Sequence, residues 1–418
     1  MSQETPLLDV SVAQQRLLTH FRPLGIVAVD LSDATGRVLA ETVTAPFSLP
    51  PFDNSSMDGF ALRALDTADA AAEHPSTHRV VVDIPAGSSL VVELRPGEAA
   101  RIMTGAPIPK GADAVIPVED TDFSFRQAGI QPPSQVRVFR AVTSGENIRV
   151  RGDDIRAGDQ IMSIGHRVRP QDAGLLSMLG IAKLHVRRKP RIAIFSSGDE
   201  LLPADIPLEP GKIHDANMYT LIGQASLSGA DPVNLGIVPD RPEDIRIVLR
   251  QAVDAKADLI LSSAGVSVGA MDYVRSVIEQ DGRLEFWRVN MRPGKPIAFG
   301  HYLDTPFIGL PGNPVSAFVG FEVFVRPTIL KMQGIDFLTR SVVKVQLGER
   351  IESDGRETYL RAVVSSSENG FVARLTGHQG SGNLHSLVQA NALLLIPSGV
   401  KSLPFGAQVG AWLLEGFG

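Results

Sequence analysis

The sequence predicts a multi-domain chain of the α/β plus β class. A central three-layer α/β domain carries a β-rich lid domain, inserted through a linker domain, and a small C-terminal β-barrel or sandwich follows. Three observations lead there. The chain has 418 residues, too many for one hydrophobic core. Strand-like and helix-like segments alternate from about residue 190 to 331, the rhythm of a largely parallel sheet covered on both faces. Short strand-like segments set between turn residues fill 46–143 and the tail, as in small all-β domains. The expected division is 1–24 with 175–331 for the α/β domain, 25–45 with 144–174 for the linker, 46–143 for the lid and 332–418 for the barrel.

The elements follow in order. Residues 9–20 have the apolar spacing of an amphipathic helix, with Asp9 placed to cap it. The segments 25–45 and 144–174 are short and mixed. Between them the chain is Pro-rich, with Arg79–Val82 and Ala114–Pro117 as candidate strands. Arg191–Phe195 opens the α/β rhythm, and Asn217 is the expected cap of a helix from Met218. Val233–Val238 is the next strand. Asp240 then opens a helix as a capping box with Glu243, Pro242 being tolerated in the first turn. Asp258–Ser262, Leu284–Val289, Ile297–Phe299 and Phe307–Leu310 are further strands, with a helix from Asp272 and a long one from Asn313. Val342–Leu347, Tyr359–Val364, Phe371–Leu375 and Leu393–Ile396 form the tail strands.

Composition narrows the function. Hydrophobic residues make up 44% and charged ones 21%, and the net charge is −6, which argues against long disorder. A nucleic-acid partner is not expected, because the densest basic run, Arg187, Arg188, Lys189 and Arg191, suits a solvated strand edge. With no cysteine, thiolate catalysis, disulfides and Cys-ligated metals are excluded. The first residues lack the pattern of a signal peptide. Phe307–Leu330 is broken by Pro311, Pro314, Glu322 and Arg326, so no membrane span is expected and the cytoplasm is the default location.

Ligands of such sheets bind beyond the carboxyl ends of the strands, where four loops carry suitable groups. Ser196, Ser197, Gly198 and Glu200 suit phosphate or cation contacts. Gly265, Ser267 and Gly269 match the spacing of a nucleophile elbow, but the strand stops too early and the helix starts too late for one. A glycine-bearing loop entering a helix offers backbone N–H groups to an anion instead. Asp272 beside it would repel a bare phosphate, which a bridging cation would remedy. In Arg292, Pro293, Gly294, Lys295 and Pro296, the prolines present two cations stiffly, a good oxyanion clamp. The fourth loop, Leu310–Pro314, ends at a helix N-terminus with Asn313. Two polar clusters in the insertion, Pro50–Phe60 and Arg101–Pro109, are dense in functional groups.

Pro51–Phe60, Met103–Pro109, Gly145–Asp154, Ser197–Leu201, Gly265–Gly269, Pro293–Pro296, Leu310–Pro314 and Thr376–Gly382 with Ala390 and Asn391 occur in this order along the chain. In that order they resemble the molybdopterin molybdenumtransferase family, the MoeA type, to which the E domain of gephyrin is similar. The resemblance implies magnesium-dependent insertion of molybdate into adenylylated molybdopterin, with release of AMP. It implies Mg2+ as cofactor, molybdate as substrate, and a homodimer with a shared active site between the α/β domain of one subunit and the lid of the other. Partners it suggests are the adenylyltransferase of the same pathway and maturation factors of molybdoenzymes. Functional positions carried over are Asp58 and Thr104 in the lid, Asp154 in the linker, Glu200, Asp240 and Asp272 in the α/β domain, and Pro293, Lys295 and Pro296. Asp58, Thr104, Glu200, Asp240 and Lys295 are the expected catalytic residues, and Glu200, Asp240 and Asp272 the expected metal ligands. Substrate contacts are expected from Asp154, Ser196, Ser197, Gly198, Gly265, Ser267, Gly269, Arg292, Pro293, Gly294, Pro296 and Asn313.

The chain departs from the family's usual residues at Lys212, Met218, Ala264, Ala270 and Arg292, which leaves tungstate open beside molybdate. A nucleotide pyrophosphatase on a related α/β domain and a non-catalytic pterin-binding scaffold are the rival functions. The lid motifs and the Pro293–Pro296 loop speak against the first, and the carboxylates against the second.

Overall fold

The computed structural model describes residues 7–123, 131–264, 273–368 and 370–414. Its chain forms two compact units, one of Met1–Glu41, Ile164–Ala173 and Ala182–Gly418, the other of Thr42–Ser163 and Gly174–Ile181. The first helix, α1 (Val10–Leu18), buries Val10, Ala13 and Leu17 along one stripe, as its apolar spacing predicts. Asp9 stands at the N-cap position, but its side chain makes no capping hydrogen bond. The helix is held by packing instead. Gln14 Nε2 donates to the carbonyl of Val323 at 2.8 Å, and Lys331 Nζ to that of Leu18 at 2.6 Å. Strand β1 (Ile26–Asp30) follows.

The second unit contains a five-stranded sheet of β2 (Gly59–Leu62), β3 (Ser76–Ile84), β4 (Glu98–Ile102), β5 (Ala114–Pro117) and β6 (Gln135–Val138), in the order β5-β2-β4-β3-β6. All pairs are antiparallel except β3 with β4. Gly59 is required where β2 meets β5, since a Cβ there would lie 2.0 Å from the carbonyl oxygen of Ile116.

Helix α2 (Pro170–Met178) precedes β7 (Lys183–Arg187), which pairs antiparallel with β1. The α/β core then runs β8 (Arg191–Ser197), α3 (Asn217–Leu227), β9 (Asp231–Val238), α4 (Pro242–Asp254), β10 (Leu259–Ser263), α5 (Tyr273–Asp281) and β11 (Gly282–Arg288). After the two-residue β12 (Met291–Arg292) come β13 (Pro296–Tyr302) and β14 (Thr305–Leu310). The sheet order is β9-β8-β10-β14-β13-β11. Four strands are parallel, and β13 is antiparallel to both β14 and β11. The sheet is covered on both faces. Ile192, Ile194, Leu259 and Leu261 share one core with residues of α1, α3 and the long helix after β14. Ala193, Phe195 and Ile260 share the other with α4 and α5. Alternate residues of one strand thus enter opposite cores, which is why these strands read as continuous apolar runs.

The helix expected from Asn313 runs as α6 (Pro314–Gly320), a π-helical turn at Phe321–Val325 and α7 (Arg326–Met332). Pro327 gives the physical reason for the irregularity: its ring has no N–H to donate and crowds the preceding turn. In the tail, β15 (Val342–Leu347), β16 (Glu357–Ser367), β17 (Gly370–Leu375), the short α8 (Leu384–Val388), β18 (Ala392–Ile396) and β19 (Gln408–Leu413) follow. The strands close as β16-β17-β15-β19-β18-β16, a five-stranded barrel. Strand β12 adds to β16 in parallel, which brings the cationic loop to the barrel. No helix among the described residues is long and apolar enough to cross a membrane.

Candidate functional site

The parallel strands end level with one another, Ser197 opposite Val238 and Ser263 opposite both Ser196 and Leu310. Polar groups gather at this edge. Ser196 and Ser197 are buried, and their hydroxyls, with that of Ser262, have no hydrogen-bond partner among the described residues. Buried hydroxyls without partners are uncommon in finished cores and suit an edge that receives a polar ligand. Asn217 is the first residue of α3 rather than its cap. Its Nδ2 donates to Ser263 Oγ at 2.6 Å and to the carbonyl of Gly312 at 2.7 Å, tying two of the edge loops together. Asp215 takes the capping role, accepting from the N–H of Met218 at 3.1 Å. Ala264 adopts a φ of 75°, a conformation costly for any residue with a Cβ and the reason glycine suits this position.

Asp199 and Glu200 are exposed beside Asp240, which is half-buried. The Asp199 carboxylate accepts from the N–H of Asp240 at 3.3 Å, and Lys212 donates to the Asp199 carbonyl. Helix α4 begins one residue later than the capping-box reading places it. Arg241 occupies the N-cap position, so Asp240 lies outside the helix. As magnesium donors Glu200 and Asp240 have the right chemistry, since that ion uses one or two carboxylates and completes its shell with water and substrate phosphate. They do not form a ready-made three-carboxylate cage among the described residues. Gly265, Ser267, Gly269, Ala270 and Asp272 lie outside the described residues.

The cationic loop opens onto a cavity of about 300 Å3, lined by Arg292, Pro293, Gly294, Lys295, Pro296 and Asn313 from the α/β core. From the barrel come Arg356, Arg361, Gln379 and Ser381. The backbone is pinned by a hydrogen bond from the Val289 N–H to the Lys295 carbonyl at 3.0 Å, and Gly294 has a φ of 105°. Arg361 is only 1% exposed. Its guanidinium donates to Ser386 Oγ and to the carbonyls of His378, Gln379 and Gly380 at 3.0–3.3 Å. Burial, and then repulsion from Arg292, pull its pKa down to about 10. The guanidinium stays charged at neutral pH, and among the described residues it meets no carboxylate. Arg356 pairs with Asp354, which Arg292 also approaches at 3.6 Å. Cations therefore outnumber carboxylates around the cavity.

In the second unit, Asp58 and Thr104 are brought together. The N–H and hydroxyl of Thr104 both donate to Asp58 Oδ1 at 2.7 Å. Backbone bonds stitch the surrounding loops, from the Gly105 N–H to the Ser55 carbonyl and from the Ser56 N–H to the Asn147 carbonyl. Asp53 Oδ1 accepts from the N–H of Arg151 at 2.7 Å, and Asp154 is exposed nearby on the same stretch.

Family models match along the chain: the MoeA N-terminal region (domain I and II) at residues 8–180, a probable molybdopterin binding domain at 193–331, and the MoeA C-terminal region (domain IV) at 344–414. A molybdopterin molybdenumtransferase of Bacillus subtilis is 36% identical over 99% of this chain and 96% of its own length. The chain belongs to the molybdopterin molybdenumtransferase family. Molybdopterin molybdenumtransferase 2 of Mycobacterium tuberculosis is 38% identical over 92% of this chain and 94% of its own. The crystal structure of the molybdopterin biosynthesis MoeA protein of Pyrococcus horikoshii superposes with a TM-score of 0.81 at 32% identity, covering 98% of this chain and all of that one.

Against the family's pattern, Met218 is explained by packing: it is buried in the core beneath α3. Sequence reasoning missed Arg361 and Arg356, which lie in and beside a barrel strand whose apolar run marked it as structure. The Thr376–Gly382 motif was the available signal, because the carbonyls of its His378, Gln379 and Gly380 hold the Arg361 guanidinium.

Proposed function

We propose that this chain is the molybdenumtransferase of molybdenum cofactor biosynthesis, inserting molybdate into adenylylated molybdopterin with release of AMP. The cationic cavity carries this reading. A tetrahedral dianion needs donors in fixed directions, and Arg292 and Lys295 offer charged N–H groups around a space of about 300 Å3, to which the buried Arg361 adds positive charge. Asn313 and Ser381 add polar contacts on its wall. Arg361 is held in place before any ligand arrives, so little ordering is left for binding to cost. The pterin substrate takes the carboxyl edge of the parallel strands, at Ser196 and Ser197. Glu200 and Asp240, with Asp272, would hold Mg2+, whose charge offsets that of the substrate phosphates. Asp58 and Thr104 act as a hydrogen-bonded pair in the lid. A homodimer with a shared active site belongs to the same reading, as does a cytoplasmic location.

The test is product analysis with adenylylated molybdopterin, magnesium and molybdate. AMP should appear in step with molybdenum bound to the pterin. AMP released equally without molybdate indicates a pyrophosphatase, and pterin binding with no AMP at all indicates a scaffold.

A further inference from the structure

Away from the cationic cavity, His20, Glu285 and His301 each place a ligand-capable atom within 4.8 Å of the others. They come from three elements. His20 follows α1, while Glu285 and His301 lie on the adjacent antiparallel strands β11 and β13, where Arg283 pairs with His301. The rings of His20 and His301 have centroids 5.0 Å apart at 51°, too tilted to stack. Phe299 backs both, with its centroid 5.0 Å from His20 and 5.5 Å from His301. The Nδ1 of His301 is buried and has no hydrogen-bond partner among the described residues. One oxygen of Glu285 forms an ion pair with Arg283 Nε at 2.9 Å, which leaves its second oxygen. A cavity of about 280 Å3 adjoins the cluster, lined by Gln15, Arg16, Thr19, His20, Glu285 and Phe299.

We propose that His20, Glu285 and His301 form a binding site for a divalent transition metal, with Zn2+ as the reference ion. Two imidazoles and one carboxylate are a common zinc donor set, and a fourth position remains for water on the cavity side. The nitrogen donors favour zinc, cobalt or nickel over magnesium, which prefers oxygen. The positive charge of Arg16, and of Arg283 already paired with Glu285, limits affinity without blocking the donors. His301 lies near the opposite end of β13 from the cationic loop, roughly 17 Å along the strand at about 3.3 Å per residue. The ion would therefore act structurally, fastening the end of α1 to the edge of the sheet.

The full chain, stripped with a chelator, is titrated with Co2+ and then with Zn2+. One saturating equivalent of cobalt with the intense visible absorption of a four-coordinate ion is expected, displaced by zinc, together with a rise in melting temperature on adding zinc. His20→Ala should weaken zinc at least ~10-fold, the lower end of losses seen even for outer-shell changes, and leave metal-free melting unchanged. Glu285→Gln provides the second readout, with weaker binding and an intact fold. Cobalt absorption that does not saturate at one equivalent, or zinc affinity unaltered in both variants, overturns the proposal.

Discussion

Lys295→Ala separates an oxyanion clamp from a structural loop. The side chain is exposed, and its ammonium has no hydrogen bond or ion pair among the described residues. Removing such a group changes stability by about 0.5 kcal/mol or less, so melting should move by under ~2 °C. Oxyanion affinity should change far more. A charge-assisted hydrogen bond contributes about 1.5–3 kcal/mol, and each ~1.4 kcal/mol is a factor of ten. The dissociation constant for molybdate should therefore rise ~10- to 100-fold. Arg292 and Arg361 remain on the cavity wall, so binding is weakened rather than abolished. Calorimetric titration with molybdate at low and moderate salt measures the loss, and AMP release at limiting molybdate should fall in parallel. Unchanged molybdate affinity in a well-folded variant refutes the clamp. A much lower melting temperature with full turnover per folded molecule makes Lys295 a structural residue.

Other outcomes follow from the sequence and the described geometry. Arg361→Met leaves the carbonyls of His378, Gln379 and Gly380 without their shared donor, so denaturant unfolding should show a loss of about 3 kcal/mol; stability within error of wild type would remove Arg361 as the anchor of that loop. Asp240→Asn and Asp272→Asn should each keep near-native melting and lose at least ~10-fold in magnesium-dependent turnover, with part of the loss recovered at higher magnesium; ordinary turnover and unchanged magnesium dependence refute their role as ligands. The Asp172 carboxylate is held well below the usual range by Arg169, with His166 adding to the effect against the opposing cost of burial. Its folded pKa is depressed, so its stabilisation is present above about pH 4 and is lost as pH falls toward the folded value. Asp172→Asn should accordingly be less stable than wild type at neutral pH, with the gap narrowing in acid unfolding titrations; a gap that stays constant rules out the charge as its source. Light scattering at micromolar concentration should give the mass of a dimer, and monomer alone removes support for a shared active site.

Much of this protein is legible in its sequence because the deciding signals are short-range. The apolar stripe of α1 and the runs of β8, β10 and β14 report local burial, and a proline-flanked Lys295 reports a stiff cationic loop. Helix caps are decided at longer range. Side chains such as Asn217 and Asp215 have several partners within reach, and the partner chosen depends on where Ser263 and Gly312 arrive. Tertiary structure alone decided the rest. Arg361 looks like one polar residue in an apolar strand until barrel closure wraps His378, Gln379 and Gly380 around it. His20 and His301 are remote in sequence, and only the docking of α1 against the antiparallel edge brings their rings to 5.0 Å. Periodicity and turn chemistry encode what a residue does with its neighbours in the chain. Convergence of charges and ligands depends on packing between distant elements, which no local pattern contains.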